Sequence, residues 1–100
     1  MNKPLDGVKV LDLTRVLAGP FCTMILNDLG AEVVKIEIPQ RGDDSRYFGP
    51  FKNEQSLYFL SLNRGKKSVT LNLKTGAGKN ILKKMVKKFD ILVENFRPGT

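Results

Sequence analysis

The chain has no histidine and one cysteine, Cys22, among its 100 residues. Without histidine there is no imidazole for a Ser-His-Asp or Cys-His relay. No histidine and one cysteine also leave too few ligands for a zinc-type centre, so no metal is expected. A single cysteine excludes an internal disulfide, and the cytoplasm is the expected compartment. No apolar run approaches the ~20 residues needed to cross a bilayer, so no membrane partner is expected. The opening Met1-Asn2-Lys3-Pro4-Leu5-Asp6 has no apolar stretch behind its lysine, and no signal peptide is predicted. Neither a fixed-period repeat nor a low-complexity tract is present. Hydrophobic residues make up 41% and charged residues 27%, which excludes a disordered tail, a collagen-like repeat and a coiled coil.

Acidic residues are scarce in one part of the chain. Residues 1–60 carry a net charge of −1 and residues 61–100 carry +8, for a total of +7. A one-sided positive segment favours an anionic partner: a cofactor phosphate, a nucleic acid or an acidic surface. The lysines at 79, 83, 84, 87 and 88 have no interleaved aromatics, so no nucleic-acid partner is expected.

What is present reads as alternating strands and helices. Val8–Thr14 is short, apolar and β-branched, as a buried strand is. Phe21, Met24, Ile25 and Leu29 fall on one helical stripe, with Pro20 suited to the first turn and Gly30 to the stop. Ala31–Glu37 is a second strand, so a β-α-β unit closes within about thirty residues, as a compact right-handed crossover requires. Residues 39–50 have loop chemistry, and 56–62 lean towards a short helix. After the basic turn Asn63–Lys67, residues 68–73 alternate as a strand. Thr75 can cap a helix with Ile81, Leu82, Met85, Val86 and Phe89 on its inner face, and 90–95 is a last strand. Two β-α-β units in series predict an α/β fold: a Rossmann-like, mostly parallel sheet with flanking helices.

Ligands of such sheets bind beyond the carboxyl ends of the strands. Three segments are candidates on this ground: Thr14–Pro20, Asn63–Ser68 and Asn95–Gly99. Arg15-Val16-Leu17-Ala18-Gly19-Pro20 leads into a helix N-terminus but is neither a Gly-x-Gly-x-x-Gly nor a Walker loop. Arg64, Lys66, Lys67 and Lys74 could contact phosphates or could keep a solvated edge from aggregating. Asp12, Glu37, Glu94 and the Asp43-Asp44 pair could each act as a base, yet no relay can be built around them. Cys22 reads as a small buried residue.

Together these segments resemble a known family. Pro4-Leu5-Asp6-Gly7-Val8-Lys9-Val10-Leu11-Asp12-Leu13-Thr14 is followed by Leu17-Ala18-Gly19-Pro20-Phe21-Cys22 and Leu29-Gly30-Ala31-Glu32-Val33-Val34-Lys35-Ile36-Glu37. Gly42-Asp43 with Arg46, then Leu62-Asn63-Arg64-Gly65-Lys66-Lys67-Ser68-Val69-Thr70-Leu71-Asn72-Leu73-Lys74, and Val93-Glu94-Asn95-Phe96-Arg97-Pro98-Gly99 complete the pattern. It resembles the opening of class III CoA-transferases of the CaiB/BaiF type, a family that also includes α-methylacyl-CoA racemase.

The resemblance implies an enzyme that moves coenzyme A from an acyl-CoA donor to a carboxylic acid. Its nucleophile is an aspartate lying beyond residue 100, so no catalytic residue is expected within 1–100. It also implies that residues 1–100 are one incomplete N-terminal segment of a larger CoA-transferase domain, inactive alone, in a protein that dimerises as interlocked rings. Carried over position by position, the CoA-contacting residues are Val16, Ala18, Leu71, Lys74, Asn95 and Phe96, with Arg15 and Leu17 near the thioester. Leu71 and Lys74 are placed on the third strand. The formyl-CoA branch has histidine and glutamine at the positions of Arg15 and Leu17, which argues against strict formyl/oxalate specificity. Where that branch has a nucleotide-contacting arginine this chain has Ile38, and Arg41 and Arg46 are the nearby candidates to replace it. Two alternatives remain open: the racemase branch, and a non-catalytic basic module that binds nucleotides. A segment of a larger domain should also leave a sheet edge open and apolar surface uncovered.

Overall fold

The computed structural model describes residues 2–100. Four strands form one parallel sheet: β1 (Lys9–Asp12), β2 (Glu32–Glu37), β5 (Lys67–Thr70) and β6 (Ile91–Val93), in the spatial order β5-β2-β1-β6. Helix α1 (Ala18–Asp28) links β1 to β2, and α3 (Gly76–Val86) carries the chain from β5 across to β6. Between β2 and β5 lie a 3-10 turn (Asp44–Tyr47), a two-residue-strand hairpin of β3 (Phe51–Lys52) and β4 (Gln55–Ser56), and α2 (Leu57–Asn63). The Rossmann-like, mostly parallel sheet expected from the sequence is the one found.

Strand alternation divides the core. Leu11, Leu13, Val34, Ile36 and Leu71 face α3 and pack with Leu82, Met85, Phe89 and Phe96. On the opposite face, Val10 and Val33 meet Leu26 of α1. The β1–β2 register sets Asp12 beside Lys35, two residues further along each strand than the Val10–Val33 pair. Side chains two apart share a face. The α1 face is therefore apolar at the amino ends of β1 and β2 and charged at their carboxyl ends, with Asp12, Lys35 and Glu37 all buried.

Helix ends follow the local chemistry. Pro20 lies in the first turn of α1, where its missing N–H costs nothing, and Gly30 takes φ +111° just past the end. Thr75 Oγ1 accepts the Gly78 N–H and caps α3.

Several expectations need correction. Strand β5 ends at Thr70, so Leu71 and Lys74 follow the third strand instead of lying on it. Because β5 is parallel to β2, Asn63–Lys66 sits at its amino end, and the carboxyl-end segment is 71–75. Cys22 is exposed, on the outer side of α1. Of the expected inner face of α3, Leu82, Met85 and Phe89 pack on the sheet, whereas Ile81 and Val86 are 48% and 41% exposed. Together with Ile91 and Leu92 of the outer strand β6, they leave apolar surface uncovered. All four residues of the other outer strand, β5, are exposed as well.

Candidate functional site

The strand order reverses at β1. Its chain continues through α1 to β2 on one side, while β6 lies on the other. Loops leaving β1 and β6 then diverge, and a crevice opens between them at the carboxyl end of the sheet. The residues there are Thr14–Leu17 after β1 and Glu94–Arg97 after β6.

Side chains hold the backbone of the first loop at nearly every polar group. The Thr14 N–H and hydroxyl both donate to Asp12 Oδ1, and the Thr14 carbonyl accepts from Lys35 Nζ at 2.9 Å. Arg15 N–H donates to Asn95 Oδ1 at 3.1 Å, while Asn95 Nδ2 donates back to the Arg15 carbonyl at 2.9 Å. Val16 N–H is shared between the two oxygens of Asp43 at 3.2 and 3.3 Å. The Arg15 guanidinium lies 5.5 Å from the centre of the Phe96 ring.

Val16 has φ +73°, a region that a β-branched residue rarely adopts. Such a conformation costs on the order of 1–3 kcal/mol. A hydrogen bond to a charged acceptor contributes about 1.5–3 kcal/mol, so the Asp43 carboxylate offsets the cost. Gly19 matters for a related reason. A Cβ there would run into the Thr14 side chain, so only glycine lets the start of α1 close on the loop.

Three buried carboxylates support this arrangement. Asp12 accepts from Thr23 Oγ1 of α1 at 2.6 Å and pairs with Lys66 Nζ at 3.2 Å. Asp43 pairs with Lys35 Nζ at 2.9 Å and accepts from the Ser45 N–H and hydroxyl. Burial pushes the Asp43 carboxyl up, but the Ser45 N–H and the Lys35 ammonium hold it below its ordinary value. Glu37 accepts two bonds from Arg46 at 2.8 Å, one from Ser68 Oγ and one from the Asp43 N–H. These donors outweigh burial and lower its pKa from 4.5 to about 2. Lys66, in turn, is pushed down by burial, against the pull of Asp12. Each carboxylate already has its donors, so none is free to act as a general base. Of the two other candidates, Glu94 is exposed and accepts the Phe96 N–H, and Asp44 pairs with Arg41.

The cations separate in the same way. Lys66 has a side chain 2% exposed and is committed to Asp12, Asn63 and the Pro20 carbonyl. Arg64 pairs with Asp28, and Lys67 with Glu32. Lys74, exposed beyond β5, has no carboxylate within bonding distance among the described residues. Of the two arginines near Ile38, Arg46 is taken by Glu37 and lies over Phe59, while Arg41 is exposed beside Asp44 and Tyr47.

A pocket runs between the strand ends and joins Arg15, Ile38, Leu71 and Phe96. At about 50 Å³ it is well below the ~300 Å³ at which small-molecule pockets begin. Any larger ligand must lie over the loops as well as in it. Arg15, Val16, Asn95 and Phe96 thus gather at one crevice, with Leu17 and Ala18 exposed at its α1 side. Leu71 is mainly a core residue, 8% exposed, and Lys74 is exposed and does not line the pocket. Sequence reasoning missed Lys35, Asp43 and Asp12 as the loop's supports. The one signal for them was a lysine inside the apolar run Val33-Val34-Lys35-Ile36.

The fold is a doubly wound α/β sheet with a crevice at its switch point. The chain belongs to CoA-transferase family III, whose family model matches residues 5–100. It is 58% identical over 98 residues to succinyl-CoA:glutarate CoA-transferase of Mus musculus, covering 97% of this chain and 22% of that protein. To acetyl-CoA:oxalate CoA-transferase of Acetobacter aceti it is 57% identical over 96 residues, covering 96% and 25%. Among solved structures, a CaiB/BaiF family protein from Brucella suis superposes with a TM-score of 0.91 at 42% identity, over 99% of this chain and 27% of that one. A hypothetical protein from Mycobacterium tuberculosis gives 0.88 at 47% identity, over 98% and 26%. The chain therefore spans about a quarter of the length of the proteins it matches. No described helix is long and apolar enough to cross a membrane.

Proposed function

We propose that this chain forms the CoA-binding N-terminal part of an acyl-CoA transferase. The observation that carries the reading is the side-chain-locked loop Thr14–Val16 at the switch point, in a chain of CoA-transferase family III. In this reading Val16, Ala18 and Leu71 border the adenine and pantetheine path, and Lys74, lacking an acidic partner, meets phosphate. Asn95 and Phe96 close the crevice, and Arg15 and Leu17 stand near the thioester.

Transfer itself uses an aspartate outside residues 1–100. Its carboxylate attacks the acyl carbonyl and expels the CoA thiolate, leaving an acyl-aspartyl anhydride. The thiolate then attacks the aspartyl carbonyl, releasing the donor acid and leaving an aspartyl-CoA thioester. The acceptor carboxylate repeats these steps in reverse and leaves with CoA. Relatives named for succinyl-CoA with glutarate and for acetyl-CoA with oxalate support transfer over racemisation. They also make a dicarboxylic acid the first acceptor to try. Residues 1–100 carry no catalytic group of their own in this scheme, and two full-length chains interlock as a homodimer.

The test incubates the full-length protein with succinyl-CoA or acetyl-CoA and with glutarate or oxalate. Formation of the new acyl-CoA is expected, with a hydroxylamine-trapped hydroxamate on one aspartate beyond residue 100. Absence of both transfer and CoA binding sinks the reading.

A further inference from the structure

We propose that Asp43, oriented by Lys35 and Ser45, is a positioning residue for coenzyme A: it holds Val16 in its left-handed backbone conformation and so keeps the loop after β1 preformed. The inference rests on the CoA-binding reading above. Asp43 lies 27 residues from Val16 in the chain and is 2% exposed, set in the wall of the pocket between the strand ends. Both its oxygens meet the Val16 N–H. One also receives Ser45, and the other receives Lys35, whose ammonium simultaneously binds the Thr14 carbonyl. One buried ion pair thus fixes the loop on either side of Arg15.

Asp43 also neutralises the buried Lys35 and caps the turn at Asp44–Tyr47, but neither task calls for a contact with residue 16. It is not at the protein surface, and it already has a full set of donors. What it supplies to the loop is a buried oxygen acceptor that holds a β-branched residue at positive φ. Without it, Val16 relaxes to an extended or helical conformation. The Arg15 and Leu17 side chains then swing relative to the crevice, and the ligand must reorder the loop on binding. That cost appears in ground-state affinity for CoA.

The experiment measures CoA binding by calorimetry, alongside acyl-CoA kinetics and melting temperature, in the full-length protein. Asp43→Ala is expected to raise the CoA Kd and the acyl-CoA KM roughly tenfold or more, with a much smaller change in kcat. Asp43→Asn keeps a carbonyl oxygen for the Val16 N–H and is expected to recover most of that loss, even though the buried Lys35 loses its counter-charge and the melting temperature drops. Affinity following the acceptor while stability follows the charge separates positioning from mere support of the fold. Should Asp43→Ala not fold, Ser45→Ala removes one orienting bond and is expected to raise Kd about two- to threefold. A wild-type Kd in Asp43→Ala, or in Ser45→Ala where Asp43→Ala does not fold, overturns the proposal, as does a loss that tracks melting temperature in both Asp43 variants. Failure of the wild-type protein to bind CoA overturns the functional reading and this inference with it. Normal wild-type binding with unmoved variants overturns this inference alone.

Discussion

Asn95 grips the backbone of Arg15 from both sides, accepting its N–H at 3.1 Å and donating to its carbonyl at 2.9 Å. An amide side chain has one acceptor and one donor group, and both are used here on a single residue of another loop. Asn95 therefore sets the width of the crevice between the ends of β1 and β6.

Replacing Asn95 tests that role. Asn95→Ala is expected to raise the acyl-CoA KM several-fold with a smaller effect on kcat, and to cost about 1–2 kcal/mol of stability. Asn95→Asp keeps the acceptor and loses the donor, so it should fall between the two. Steady-state kinetics with denaturant melts checks the order, and an Asp variant worse than Ala would contradict the clasp.

Two lysines that look alike in sequence should behave differently. Lys66→Met leaves Asp12 buried without its counter-ion and is expected to cost roughly 3–5 kcal/mol. Lys74→Ala, at an exposed position, should leave stability within about 0.5 kcal/mol while raising the acyl-CoA KM more than it lowers kcat. An unchanged KM removes Lys74 from the phosphate site.

The loop also depends on a glycine. Gly19→Ala puts a methyl group against the Thr14 side chain, and overpacking of this kind costs about 1–3 kcal/mol. A lower melting temperature with weaker CoA binding is the expected pair of effects. Wild-type values of both would show that α1 can shift freely.

Acid should weaken the fold through Glu37. Its folded pKa of about 2 lies below the ordinary 4.5, so the folded state binds the proton less well than the unfolded chain. The stability it contributes is complete above pH 4.5, declines as pH falls and is gone below about 2. Asp43, also lowered, acts in the same direction. Lys66, lowered by burial, adds a rise in stability on the alkaline side, as pH climbs through its depressed value. Denaturant midpoints from pH 5 down should therefore fall, and Glu37→Gln should flatten that slope. An equally steep slope in the variant would assign the acid sensitivity elsewhere.

Much of the fold was legible because its signals are local. Val8–Thr14 and Ala31–Glu37 are apolar runs, Pro20 and Gly30 bracket α1, and Thr75 caps α3. The hairpin at 51–56 was not, since its turn is Asn53-Glu54, both at positive φ, with no glycine to announce it. At the site, residues 15–18 and 95–96 could be placed from the rule about strand ends. Their supports could not. A lysine in a strand reads as solvated, and whether it is buried depends on a carboxylate far away in the chain. Lys66 meets Asp12 only because β5, β2 and β1 lie side by side. Lys35 carried the one signal, a lysine in an apolar run, because the centre of a parallel sheet offers it no wet face, yet that signal was missed.

The strand order has a consequence for how this segment is made. Strand β1 is synthesised well before its sheet neighbour β6, with α1, β2, β5 and α3 made in between. Arg15 waits 80 residues for Asn95, so the second wall of the crevice arrives long after the first. Until then a nascent chain holds this loop only from the side of Asp12, Lys35 and Asp43.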